Sequence, residues 1–159
     1  MPIVLVRVDD RLIHGQVLEG WVPATKAQEL VVANDALADD HFQRMIMESS
    51  IPDSVKIVIG GVDTIADMLL SEVEPSLRRM ILVDNPVDAL RLKKAGIQFH
   101  RLNLGNLRAN HGRVCLSRSV VVGDESLGAI QQIIAEGVQV YIQSVPFENP
   151  LTFPTPTAG

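Results

Sequence analysis

The stretch "IVLVRVDDRLIHGQVLEGWV" (residues 3–22) joins an apolar run to an amphipathic segment through a charged turn. The run "IVLVRV" (3–8) is almost continuously apolar, which is typical of a strand buried on both faces of a parallel sheet. The segment "HGQVLEGWV" (14–22) places four apolar residues on one side of a helix, namely Val17, Leu18, Trp21 and Val22. The stretch therefore predicts a strand–turn–helix unit.

The same alternation of apolar runs and helical patterns continues along the chain. Further strands are predicted at "ELVVA" (29–33), "VKIVI" (55–59), "RMILV" (79–83), "FHRLNL" (99–104), "VCLSRSVVV" (114–122) and "VQVYIQ" (138–143). Between two of them, "ADDHFQRMIMES" (38–49) predicts a helix, with Phe42, Met45, Ile46 and Ser49 on one side at spacings of three and four. Strands that alternate with helices predict a single α/β domain: a doubly wound, mainly parallel sheet of about seven strands with helices on both faces.

Length, charge and cysteine count argue against several classes of protein. The chain has 159 residues, which suits one domain, and a net charge of −5 with scattered acids and bases, which argues against a nucleic-acid-binding face. The apolar run near the N-terminus is too short for a signal peptide or a membrane span. Cys115 is alone, so no intrachain disulfide can form. We expect a cytoplasmic protein that docks through a partner if it works at a membrane.

Two segments depart from the regular alternation. "LNLGNLRANHGRV" (102–114) is polar and predicts a long loop, and loops of this length in compact domains are usually functional or mobile. "PFENPLTFPTPTAG" (146–159) carries four prolines and cannot form a helix. We therefore expect a domain over residues 1–146 and an extended tail over 147–159 that buries little and is dispensable for folding.

The charged turn "DDRLIHG" (9–15) lies at the carboxyl end of the first strand, where open α/β sheets bind ligands. It lacks the glycine patterns of nucleotide-binding turns, which disfavours a nucleotide. His14 instead precedes a helix N-terminus, which attracts anions, and Arg11 offers a planar fork for phosphate oxygens. A neutral imidazole in this setting can attack phosphorus as a covalent nucleophile. The alternative is helix capping beside an ordinary surface histidine.

Three neighbours of His14 bear on this choice. Asp9 and Asp10 are placed to orient the imidazole, to pair with Arg7 or Arg11, or to cap the helix. Arg7 lies near the end of a buried strand, where a charge needs a nearby partner or an anion. From the residues alone, the catalytic and the capping interpretations both stay open.

The remaining candidates have plainer expected roles. His41, on the polar side of a helix, and His100, within a strand, show no metal-ligand spacing with Cys115, a predicted core residue. His111 lies in the long loop, within reach of the turn. Trp21 is expected in the core or at a partner contact. Caps are predicted at Asn34, Asp35 and Asn85, and turn residues or cleft contacts at Asn103 and Asn106.

"RVDDRLIHGQV" (7–17) resembles the active-site loop of the IIB components of the mannose–fructose–sorbose family of the bacterial phosphoenolpyruvate-dependent sugar phosphotransferase system. The resemblance continues, in order, through "VVANDALADD" (31–40), "ILVDNPVDALRLKKAGI" (81–97), "LNLGNLRANHGR" (102–113) and "SRSVVVGDESLGAIQQIIAEGVQVYIQSVP" (117–146). It implies a mainly parallel seven-stranded sheet covered by helices. Family members commonly end with a further helix, which the proline-rich tail cannot form.

The resemblance also implies a chemistry. His14 would accept a phosphoryl group at Nδ1 from the histidine of a IIA protein or domain, and would pass it to a sugar bound by IIC and IID permease subunits. Arg11 and the backbone amides around Gly15 and Gln16 would steady the phosphoryl group, with Asp10 and Arg7 as further binding or orienting residues.

Several functional questions stay open at this point. No metal, nucleotide or other cofactor is required for a phosphoryl group that a donor already carries. A regulatory phosphocarrier, in which phosphorylation of His14 controls a protein interaction, is the alternative function. The sequence does not identify the sugar, and a homo-oligomer is compatible with it.

Overall fold

The computed structural model describes residues 3–73, 77–108 and 114–153. Its strands are β1 (Ile3–Asp9), β2 (Glu29–Ala33), β3 (Lys56–Gly60), β4 (Arg79–Val83), β5 (Arg101–Arg108), β6 (Val114–Cys115), β7 (Val120–Val122), β8 (Gln139–Ile142) and β9 (Leu151–Thr152). A π-helical segment (Gln16–Trp21) leads into α1 (Val22–Thr25), followed by α2 (Asp35–Ala38), α3 (His41–Ser49), α4 (Val62–Ser71), α5 (Pro86–Ala95) and α6 (Asp124–Ala135). Within these ranges, none of the helices combines the length and apolar character needed to cross a bilayer.

The sheet is mainly parallel, as predicted. Its strands run in the order β3-β2-β4-β1-β5, and β8 extends this parallel array beyond β5. The short strand β9 adds to β8 in antiparallel orientation, and the last residues of β5 pair with β7. The predicted strand 114–122 is in fact two short antiparallel strands, β6 and β7, because the chain reverses at a hydrogen-bonded turn between Leu116 and Val120.

Alternating residues of the central strands pack against opposite helical layers, which confirms helices on both faces. Val6 and Val8 of β1 join a cluster completed by apolar residues of α4, α5 and α6. Leu5 points to the other face and packs with the π-helical segment, α1 and α2. Arg7 and Asp9 share the face of Leu5, because side chains alternate along a strand. This face holds the charged turn that follows β1.

Helix α3 has its predicted position but not its predicted orientation. Phe42, Met45 and Ile46, the expected apolar face, have exposed fractions of 68%, 54% and 46%. Met47 packs against the core instead. The helix reaches the sheet by only this edge, so the three spaced apolar residues face outward.

The described part of the proline-rich tail is extended but not free. Leu151 and Thr152 pair with β8, and Phe153 packs against the core between α6 and β8. The expectation that the tail buries little is therefore wrong at Phe153, whose ring covers apolar surface that the sheet edge would otherwise expose. Phe147, by contrast, is 90% exposed. The boundary between domain and tail at residue 146 stays a prediction.

Candidate functional site

The turn after β1 is anchored to the core by buried apolar side chains. Leu12 adopts a left-handed backbone with φ of 57°, which is unusual for a branched residue, and its amide donates to the carbonyl of Asp9. Leu12 and Ile13 are buried in the core beside the π-helical segment. This anchoring fixes the turn and presents His14 at the carboxyl edge of the sheet, with its side chain 13% exposed. A π-helical turn directly after such a residue is a frequent companion of functional sites.

The ring of His14 is held by two hydrogen bonds that identify its nitrogens. Nε2 lies 2.7 Å from Oδ2 of Asp9, and the backbone amide of Gln16 donates to Nδ1 at 3.3 Å. A carboxylate accepts, so Nε2 must carry the proton, and an N–H that faces Nδ1 requires a lone pair there. Both contacts select the same neutral tautomer, with Nδ1 as the unprotonated, nucleophilic nitrogen.

Asp9 is the centre of the site. Its carboxylate is fully buried and accepts hydrogen bonds from Nη2 of Arg7 and Nδ2 of Asn106, each at 2.9 Å, and from the backbone amide of Arg11 at 3.0 Å. Burial alone would raise the pKa of Asp9, but the hydrogen bonds from His14, Asn106 and Arg11 and the charge of Arg7 bring it down to about 2. Asp9 is therefore an ionised acceptor near neutral pH.

Arg7 lies beneath Asp9 and is fully buried. Nη1 donates to Oδ1 of Asn103 at 2.6 Å and to the carbonyl of Gln143 at 3.1 Å, while Nη2 donates to the carbonyl of Ser144 at 3.0 Å. The guanidinium carbon also lies 5.2 Å from the centre of the Trp21 ring. Arg7 thus joins β1, β5 and the segment after β8, and it is screened from the cleft.

An open cleft of about 610 Å³ lies above this layer, lined by Asp10, Arg11, Gln16, Asn106 and Arg108. Oε1 of Gln16 accepts from Nδ2 of Asn106 at 2.9 Å and from Nη2 of Arg11 at 3.3 Å. Because Asn106 also donates to the Asp9 carboxylate, the orientations of both side-chain amides are fixed by charged partners. Two arginines, Arg11 and Arg108, and one carboxylate, Asp10, line the cleft, so its lining has a net positive charge, which suits a phosphoryl group.

Comparison with known proteins shows the family to which the chain belongs. The model of the family described as "PTS system sorbose subfamily IIB component", where PTS is the phosphotransferase system, matches residues 3–154. The chain belongs to this family. IIB components are sugar-phosphotransferase subunits that work with IIA and with IIC and IID permease parts.

The similarity to individual members of the family covers nearly the whole length of both chains. The chain is 32% identical to the N-acetylgalactosamine-specific phosphotransferase enzyme IIB component 2 of Escherichia coli K12, over 93% of this chain and 94% of that protein. It is 31% identical to the fructose-specific EIIB component of Bacillus subtilis 168, over 92% and 90%. The crystal structure of the IIBSor domain of the Klebsiella pneumoniae sorbose permease superposes with a TM-score of 0.88, at 26% identity over 95% and 93%.

The structure brings most predicted site residues of this IIB chain together. Arg11 and Gln16 line the cleft. His14 is joined to them by the hydrogen bond from the Gln16 amide, and to buried Arg7 through Asp9. Asp10 lines the cleft, but its carboxylate accepts from the backbone amide of Arg108 at 3.0 Å and so also holds the end of β5. Gly15 precedes the π-helical segment, with open space where a Cβ would lie.

The other candidates lie elsewhere. His41 is exposed at the start of α3, His100 is exposed just before β5 rather than within a strand, and His111 lies outside the described residues. Cys115 is exposed, not a core residue, because β6 is a short edge strand. Nowhere in the described ranges does a group of three or more His, Cys, Asp or Glu side chains form a metal-binding cluster.

Hydrogen bonds show the roles of the expected helix caps. Asn34 caps α2 and Asn85 caps α5, by accepting from the amides of Leu37 and Asp88. Asp35 instead accepts from the amide of Val62 and pairs with Arg91.

Asn103 and Asn106 are site contacts and not turn residues, because β5 runs to Arg108 through much of the predicted loop 102–114. Sequence analysis gave Asp9 three possible roles but did not predict that its carboxylate would be the shared acceptor at the centre of the site. The partners that reveal this position come from distant strands.

Proposed function

We propose that His14 of this IIB component accepts a phosphoryl group at Nδ1 from the phosphohistidine of a IIA protein or domain, and passes it to a sugar held by IIC and IID permease subunits. The proposal places the protein at the cytoplasmic face of the membrane during delivery. Its main support is the hydrogen bond of 2.7 Å between Nε2 of His14 and the buried, ionised Asp9, which leaves Nδ1 unprotonated, with the Gln16 amide as its hydrogen-bond donor.

The transfer balances without a metal or an external base. The Nδ1 lone pair forms the new P–N bond while the bond to the donor imidazole breaks, and its electron pair returns to that ring. Nε2 keeps its proton, so the phosphorylated ring is cationic, and the Asp9 carboxylate stabilises that charge through the hydrogen bond. In the second step a sugar hydroxyl attacks phosphorus, the P–N electron pair returns to Nδ1, and the hydroxyl proton passes to a phosphoryl oxygen of the sugar phosphate or to solvent.

Groups that hold the phosphoryl oxygens are already in place. The Gln16 amide donates to Nδ1 before the reaction. Once that lone pair is used in the P–N bond, the N–H is released to donate to a phosphoryl oxygen. Arg11, on the rim of the cleft, supplies the planar guanidinium that matches the charge of the transferring group. The site therefore stabilises charge where it develops.

Phosphorylation tests the first half of the proposal. Given labelled phosphoenolpyruvate, the general phosphotransferase proteins and a matching IIA, the chain should gain one phosphoryl group that is lost in acid and stable in base, as expected of a phosphoramidate. His14→Ala removes the attacking atom and should abolish labelling completely. His41→Ala, His100→Ala and His111→Ala are matched controls that should label normally. Label on the His14 variant, or an acid-stable label, would refute the site.

Discharge tests the second half. The labelled chain should lose its phosphoryl group to sugar when mixed with membranes that contain the matching IIC and IID subunits. Retention of label there, after normal labelling by IIA, would contradict the transport role and leave a regulatory phosphocarrier as the better description.

A further inference from the structure

Strand β5 contains an irregularity beside the site. Val8 of β1 pairs with Leu104 and Asp9 pairs with Asn106, so Gly105 is an extra residue in the ladder. In a regular strand Asn106 would share the face of Leu104, which packs in the core layer opposite the site. The bulge at Gly105 reverses this alternation, and Asn106 reaches Asp9 and Gln16.

Gly105 also makes room for Arg7. A Cβ built on Gly105 would overlap the guanidinium carbon and Nη2 of Arg7 and would lie 2.7 Å from Nε, whereas ordinary contact begins near 3.4 Å. The backbone of Gly105 lies outside the left-handed region, so alanine is not excluded by conformation. The need for glycine comes from the buried arginine alone.

We propose that Gly105 and Arg7 are positioning residues for phosphoryl transfer: their close fit holds Asp9 in place, and Asp9 holds His14 with Nδ1 unprotonated and facing the Gln16 amide. The inference rests on the proposed function of His14 and adds the device that prepares the nucleophile. Neither residue needs to touch the phosphoryl group.

The contacts of Arg7 explain why a small displacement matters. Its two terminal nitrogens are shared among the Asn103 side chain, the Gln143 and Ser144 carbonyls and the Asp9 carboxylate. A guanidinium pushed away from Gly105 by roughly 1 Å cannot keep all four acceptors. Asp9 then loses its buried cation, and His14 loses its fixed acceptor at Nε2. A misplacement of this size typically costs on the order of 10²-fold in rate.

Gly105→Ala tests the fit directly. We expect phosphoryl transfer from phospho-IIA to fall on the order of 10²-fold with an unchanged KM for phospho-IIA, because Gly105 is buried and the new methyl group adds nothing to the surface. The ring nitrogens of His14, followed by ¹⁵N NMR without any phosphoryl donor, should change from one protonated Nε2 to a tautomer mixture. Gly128→Ala in α6 is the matched control: its Cβ would meet nothing within 4 Å, so rate and spectrum should not change.

A second change separates positioning from general damage. Arg7→Lys in the Gly105→Ala background removes the planar group that the new methyl displaces while it keeps the charge, and should recover about tenfold in rate. If Gly105→Ala proves too unstable to assay, Arg7→Lys alone should still give the tautomer mixture.

Two results would overturn the inference: a Gly105→Ala protein with wild-type rate, or a slow one whose His14 keeps the wild-type tautomer. Failure of wild-type His14 to take up phosphate would refute the proposed function instead, because the NMR measurement needs no donor.

Discussion

Two buried arginines lie at opposite ends of the neighbouring strands β4 and β1, and they are held in different ways. Arg79, at the amino end of β4, gives Nε to Glu29 at 2.6 Å and both terminal nitrogens to Glu72 at 2.7 and 2.8 Å. Arg7, near the carboxyl end of β1, gives most of its donors to neutral oxygens and only one to the carboxylate of Asp9. The pKa of Arg79 is raised by its hydrogen bond to Glu72, whereas burial lowers that of Arg7.

The two arginines differ in whether their carboxylate partners are shared with other groups of a site. The carboxylates around Arg79 serve that arginine, with Lys56 as a further, exposed partner of Glu29. Asp9 divides its oxygens among Arg7, Asn106, the Arg11 amide and the partly exposed ring of His14. Nε of Arg7 has no hydrogen-bond partner among the described residues. We therefore expect the Arg7 network to contribute to the proposed phosphoryl transfer rather than to stability.

Removal of the charge at Asp9 should give the largest effect. Asp9→Asn keeps the shape but not the charge, and the amide can turn its NH₂ toward His14 and select the wrong tautomer. We expect transfer from phospho-IIA to fall on the order of 10³-fold or more, by analogy with an aspartate that orients a catalytic histidine. The measurement is the labelling rate of protein whose fold has been verified by thermal melting.

Glu29→Gln is the matched change at the other arginine. It removes one charged acceptor of Arg79 and should cost about 2 kcal/mol of unfolding free energy, because Glu72 still pairs with that arginine. The labelling rate should equal that of the wild type. A slowed Glu29→Gln protein, or an Asp9→Asn protein at full rate, would remove the functional distinction between the two sites.

Arg11→Ala should give the next largest effect. Arg11 lines the cleft, so it is expected to bind charge that develops on the transferring group. Loss of one such donor typically costs about 3 kcal/mol, on the order of a hundredfold in rate, with no change in melting temperature. Arg11→Lys should recover only part of this loss, because lysine lacks the fork. Unchanged rates in the alanine variant would remove Arg11 from the mechanism.

Much of this architecture follows from local pattern. The apolar run 3–8, the turn chemistry at 9–15 and the helical spacing after it predict β1, the site and the following helical segment, because each depends on neighbours in sequence. The caps Asn34 and Asn85 were recognisable for the same reason.

What sequence patterns missed depends on distant partners. The link between Arg7 and Ser144 joins residues 137 positions apart, and the one between Asp9 and Asn106 joins residues 97 apart. The polar residues after the predicted strand 99–104 were included in the predicted loop 102–114, whereas β5 continues to Arg108. Here the charged groups of β1 supply their hydrogen bonds. The bulge at Gly105 was signalled only by a glycine inside a strand-like run.

Substitution of the two phenylalanines of the tail should give the smallest effects, and it tests whether the site is independent of the β8–β9 edge. Phe153 packs against the core beyond the edge of the parallel array, so Phe153→Ala should remove about 1 kcal/mol of stability and lower the melting temperature by about 3 °C. Phe147→Ala, at a side chain that is 90% exposed, should not change the melting temperature. Phosphorylation of His14 should proceed normally in the Phe153 variant, because neither Asp9 nor Arg7 contacts that ring. A slowed transfer there would show that the β8–β9 edge is coupled to Arg7 through the Gln143 and Ser144 carbonyls, and that stability and catalysis are not separable at this end of the sheet.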